Sequence, residues 1–190
     1  MSRFKVMSLC VITAMCMAIG GLVLTGCSSA EDDEAAIKEA LTEQFDQLKS
    51  LDDATVDEIA QAIGSSELSN LGIAPADFAK AYLDGFDYSV QDVKADGDSA
   101  TATVTVTCKS LKEFESSLNT MAEEYIKDES NWEKSETQIY QEIGTKVMES
   151  LKSVPTATTS PIKLSFAKSN GEWSSDSSNE SAITNAMLAL

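Results

Sequence analysis

The chain reads as an α+β protein in which an antiparallel sheet is covered by helices and a helical insertion separates two hairpins. Three observations carry that reading. Apolar residues recur at helical spacing as far as Gly85, and from Phe86 to Cys108 they alternate instead. Helical spacing returns between Leu111 and Leu151. A second pair of alternating segments then surrounds Asn170-Gly171.

The amino terminus has the three parts of an export signal: basic Arg3 and Lys5, an apolar run from Val6 to Leu24, and a small-residue exit at Thr25-Gly26. The run Leu24-Thr25-Gly26-Cys27 resembles the lipobox of bacterial lipoproteins. That resemblance implies cleavage between Gly26 and Cys27 and a diacylglycerol on the Cys27 thiol. The protein would then be fixed to the cell membrane on its extracytoplasmic face. A membrane-spanning anchor is the competing reading, because the apolar run approaches the ~20 residues that cross a bilayer. Gly20-Gly21 would weaken such a permanent helix, and the acidic run Glu31-Asp32-Asp33-Glu34 begins just after the cysteine. The expected organisation is a signal over residues 1–26, a mobile acidic tether over 27–34 and a single domain over 35–190.

The first helix carries Ile37, Leu41, Phe45 and Leu48 on one stripe. Thr55 and Glu58 have the spacing of a capping box, whose side chains satisfy free amides at a helix start, and Val56, Ile59, Ala60 and Ile63 follow as a buried face. Gly64 is suited to stop that helix. A turn through Ser65 to Gly72 leads to a third helix, with Pro75 in its first turn, Phe78 and Tyr82 inward, and Gly85 at its end.

Phe86, Tyr88 and Val90 share one strand face, Asp96-Gly97 turns the chain, and Ser99 to Cys108 alternates Ser or Thr with Ala, Val or Cys. A two-residue turn there sets Val93 opposite Ala100 and Gln91 opposite Ala102, which puts Tyr88 and Val90 on the wrong face. One extra residue near Gln91-Asp92 restores both faces, so a β-bulge is predicted. Cys108 continues the inward alternation and belongs in the core.

In the insertion, Leu111, Phe114, Leu118, Met121 and Tyr125 recur every three or four residues until Lys127 to Asn131 interrupts with charge. Ser130 and Glu133 have capping-box spacing, and Ile139, Ile143, Val147 and Leu151 follow, so two helices or one kinked helix are expected. Pro155 and Pro161 bracket a Thr-rich loop. Ile162, Leu164 and Phe166 then alternate, Asn170-Gly171 turns the chain, and Trp173 begins a returning strand. Ser177 and Glu180 suit the cap of a last helix whose Ile183, Ala186, Met187 and Leu190 share a face.

Composition removes several classes of function. The 190 residues carry 31 acidic and 14 basic side chains, a net charge of −17, and Arg3 and Lys5 would leave with the signal. Such a surface repels nucleic acid and anionic headgroups and keeps a domain soluble. Histidine is absent and Arg3 is the single arginine, so Ser-His-Asp and Cys-His hydrolases are excluded. With Cys10 and Cys16 in the signal and the Cys27 thiol consumed by lipid, Cys108 alone remains, which rules out an internal disulfide and leaves little for zinc. No Gly-rich loop ends in Lys-Ser or Lys-Thr. No metal or cofactor is expected.

The stretch Phe86-Asp87-Tyr88-Ser89-Val90, with Val93, Asp96-Gly97-Asp98 and Ala100 to Val104, resembles the central hairpin of small bacterial lipoproteins with a nuclear-transport-factor-like, cystatin-like domain. Asn170-Gly171-Glu172-Trp173 is similar to their late hairpin. The resemblance implies a curved sheet able to enclose a pocket, which Tyr82, Phe86, Tyr88, Trp132 and Trp173 would line. Ordinary core packing is the alternative for each of these. The insertion from Lys109 to Val154 departs from that pattern.

Three functions fit. The first is a surface-anchored binding or accessory module for a small apolar ligand. The second is an enzyme resembling the carboxylate-based isomerases of the same scaffold, with Tyr88 near an acid such as Asp92. The third is a component of a cell-envelope assembly that docks a protein through the segment Leu111 to Leu151. A filled core with an exposed apolar stripe on the insertion would favour a protein partner. A two-lobed solute receptor does not fit the length.

Overall fold

The computed structural model describes residues 23–25, 29–63 and 66–190. The expected cleavage and lipid sites, Gly26 and Cys27, and the helix stop Gly64 lie outside them. In chain order the elements are β1 (Val23–Thr25), α1 (Ala30–Ser50), α2 (Asp53–Ile63), α3 (Ser66–Asn70), α4 (Pro75–Leu83), β2 (Asp87–Asp96), β3 (Ser99–Lys109) and α5 (Leu111–Lys127). A 3-10 turn (Glu129–Asn131) precedes α6 (Glu136–Ser153), β4 (Thr156–Thr158), β5 (Ile162–Ser169), β6 (Glu172–Ser175) and α7 (Ser178–Leu188).

The strands form one curved, open antiparallel sheet in the order β1-β6-β5-β3-β2, with β4 paired to the far end of β3. Strand β1 lies inside the segment expected to leave with the signal. It pairs only with β6, at the sheet edge, so the other pairings do not depend on it. One sheet face is buried by Ala100, Ala102, Val104, Val106 and Cys108 of β3 with Ile162, Leu164, Phe166 and Trp173. Helix α1 covers β2, α4 reaches β3 and α7 packs on β5. Their apolar stripes, Ile37, Leu41, Phe45 and Leu48 on α1 among them, complete a single core.

The predicted bulge is present. Val90 faces Val104 and Val93 faces Ala102, so two residues oppose Thr103, and Tyr88, Val90, Val93 and Ala95 all turn toward the core. The register differs from expectation by the turn itself. Asp96 pairs with Ser99, leaving Gly97 and Asp98 at the tip, with Gly97 at φ +59°.

Several boundaries move. The acidic run is not a tether: Ser29 and Asp32 form a capping box, and Glu31, Asp32 and Asp33 lie in the first turn of α1, where carboxylates meet the positive end of the helix. Helix α2 starts two residues before Thr55, because the Asp52 carboxylate accepts the Thr55 amide at 2.8 Å. Helix α6 is capped by Ser135 and Gln138 rather than Ser130 and Glu133, and Ser130 sits in the 3-10 turn. At α7 the Ser177 side chain makes no cap bond, and Asp176 accepts the Ser178 amide at 2.8 Å instead. Residues read as a turn after Gly64 include the short helix α3, and the Thr-rich loop contributes β4.

Candidate binding groove

Helices α5 and α6 form an antiparallel hairpin whose base is part of the core and whose tip is not. Leu111, Phe114 and Leu118 of α5 are buried, and Phe114 meets Phe78 of α4 with ring centroids 6.3 Å apart. Beyond Leu118 no α5 side chain is buried, and none is in α6 before Gly144. Val147 and Leu151 return to the core. Met121 and Ile143, partly buried, still pack against that core, and between them, from Ala122 to Glu142, the hairpin end is largely exposed.

A polar network holds the projecting end together. Glu142 accepts the Lys134 ammonium at 2.6 Å and the Tyr125 hydroxyl at 3.0 Å. Lys134 also donates to Asn131 Oδ1, whose amide nitrogen donates to the Tyr125 carbonyl, each at 2.7 Å. Paired in this way, Glu142 is held below the usual carboxylate range and Lys134 above the usual amine range, in both cases chiefly through their mutual hydrogen bond.

Between the two helices runs an open apolar groove of about 300 Å³. Leu118, Met121, Ala122 and Ile126 form one wall, Ile143 and Val147 the other, with Glu115, Asn119 and Tyr125 along its length. Ile126, Trp132 and Tyr140 near the tip are 69 %, 70 % and 43 % exposed. The Trp132 indole donates to the Ile126 carbonyl at 3.3 Å, which fixes both at the hairpin end. A second, wider cleft of about 1110 Å³ separates α4 from α6, with a mixed lining that includes Asp77, Lys80, Asp84 and Lys152. At its floor Gly144 lies against the Leu71 carbonyl.

The five aromatic residues expected around a pocket do not come together there. Tyr82, Phe86 and Trp173 are buried in the core. Tyr88 is half-buried, stacked on Phe45 at 4.8 Å, and its hydroxyl donates to Asp46 at 2.6 Å. Trp132 stands apart at the hairpin tip, and none of the five lines either cavity. Asp92, the acid considered beside Tyr88, is exposed at the bulge. The groove was legible only as a width of apolar stripe. Besides the inward series of α5, Leu118, Ala122 and Ile126 make a second row at four-residue spacing.

Neither a family model nor a curated protein matches this chain. Among solved structures it is similar to YcdA of Bacillus subtilis, provisionally described as a lipoprotein, at 15 % identity and a TM-score of 0.41. The match covers 93 % of this chain and 55 % of that one, so this chain spans just over half that protein's length. Among the described residues, no helix is long and apolar enough to cross a membrane, and no group of three or more His, Cys, Asp or Glu could hold a metal ion.

Proposed function

We propose that this chain is a lipoprotein anchored through Cys27 on the extracytoplasmic face of a bacterial membrane. In this reading it is a non-catalytic accessory module whose binding surface is the α5–α6 hairpin. The observation that carries the reading is the contrast between a filled sheet-side core and a projecting hairpin with an open apolar groove and exposed Ile126, Trp132 and Tyr140. Exposed apolar surface of this kind has a use when it is covered by a partner. The anchor rests on Leu24-Thr25-Gly26-Cys27 in its export context. The likeness of the Phe86 to Val104 hairpin to nuclear-transport-factor-like lipoproteins belongs to the same proposal. The Tyr88 hydroxyl donates to Asp46 rather than Asp92, and neither Tyr88 nor Asp92 lines the two grooves described.

Metabolic labelling with a fatty acid tests the anchor: the parent takes up label and Cys27→Ala does not, and equal uptake would overturn it. A photo-crosslinking residue at position 122 or 140 tests the surface in cells. A discrete adduct is expected from these positions and not from Lys163 on the sheet. Equal crosslinking from all three would remove the hairpin as the binding surface.

A further inference from the structure

We infer that the α5–α6 groove receives a basic amphipathic helix of a partner protein, a conclusion that rests on the hairpin being the binding surface. From Glu115 to Ile126 the wall spans twelve residues, about 16 Å or three helical turns, which matches apolar anchors at i, i+4 and i+7 of an incoming helix. Its volume of about 300 Å³ is at the bottom of the range for small-molecule sites. Such sites also need converging polar groups. Here the Tyr125 hydroxyl, Asn131 and Lys134 are engaged in holding the hairpin.

Charge selects the sign of the partner. Between Leu111 and Ser153 there are ten carboxylates and five lysines, the chain as a whole carries −17, and the charged side chain on the groove wall is Glu115. An apolar trough with Glu115 on its wall, in a chain of strongly negative net charge, steers and orients a helix whose apolar stripe is flanked by Lys or Arg, and it repels an anionic one. Tyr125 along the groove, with Trp132 and Tyr140 exposed beyond it near the tip, offers aromatic surface of the kind that commonly dominates binding energy.

The test uses the full chain in nanodiscs of phosphatidylcholine, with empty nanodiscs as the blank. Three labelled probes are titrated: a helical peptide with leucines at i, i+4, i+7 and i+11 flanked by lysines, its counterpart with each lysine replaced by glutamate, and a neutral monoacylglycerol. The lysine peptide is expected to bind, at least about tenfold more tightly than the glutamate peptide, with affinity falling as salt rises. Ala122→Trp fills the trough at an exposed position, and Ile126→Ser removes its apolar end without adding charge. Each should weaken the lysine peptide about tenfold while the circular dichroism melt is unchanged. Equal affinity for the two peptides, or insensitivity to both variants, overturns the inference. Binding of the monoacylglycerol alone, abolished by Ala122→Trp, overturns it in favour of an acyl-chain site. Crosslinking in cells from position 122 without binding of the lysine peptide leaves the hairpin surface standing and removes only the basic helix.

Discussion

Tyr88 combines three environments at one side chain: its ring stacks on Phe45, its hydroxyl donates to Asp46, and Lys49 stands 6.0 Å from the ring centre. Burial first, and the Asp46 carboxylate second, push its ionisation up to about 12. The folded state thus holds this proton more tightly than the unfolded chain. Its stabilising contribution is complete below about pH 10 and is lost as pH climbs toward 12. In a phenolate absorbance titration Tyr88 should ionise near the top of that window, and Asp46→Asn should move it part of the way back, because burial remains. An unchanged midpoint in Asp46→Asn would show that the carboxylate has no part in the shift. Partners such as Asp46 are invisible in the sequence, since 42 positions separate the pair and only the packing of α1 across β2 joins them. Cys108 is the opposite case. Strand alternation alone assigns it to the core, where burial raises its thiol to about 11.

At the scale of elements, sequence periodicity located every long helix and both hairpins among the described residues, and it located the bulge because one sheet face must stay apolar through it. Helix starts were less legible. Ser, Thr and Glu are so frequent that capping-box spacing recurs where no helix begins, and Asp52 and Asp176 cap from positions just outside those boxes. The groove escaped for a related reason: half a helix that packs and half that projects share one periodicity. Gly144, where α6 passes from projecting to packed, marks a close approach that no pattern reveals. A methyl group there would lie 1.9 Å from the Leu71 carbonyl oxygen. Gly144→Ala should therefore cost about 2 kcal/mol in urea denaturation despite the better helix propensity of alanine. A gain in stability would mean that the α3–α4 loop yields freely.

Across the whole molecule, one ion pair closes the longest circuit. The Lys168 ammonium of β5 contacts both oxygens of Asp33 in the first turn of α1, at 2.8 and 3.0 Å, with the two side chains 13 % and 8 % exposed. The same ammonium lies 5.3 Å from the centre of the Trp173 ring. Asp33→Asn strips the carboxylate from a buried cation and should cost about 3 kcal/mol, whereas Asp33→Leu with Lys168→Met should recover most of it. A loss in the single variant no larger than that of a surface substitution would show the pair to be solvated. With Glu34 also accepting the Ala95 amide at 3.0 Å, the start of α1 is locked to the hairpin end of the sheet.

The cap at Ser29 has a geometric corollary for a protein held by Cys27. If Cys27 carries the lipid, two peptide steps, at most about 7 Å of chain, would separate its Cα from Ser29 at the start of α1. On that proposal the domain would have only a short leash. It would ride close above the headgroups with the amino end of α1 facing down, and whatever it captures must come within roughly one domain height, on the order of 40 Å, of the bilayer.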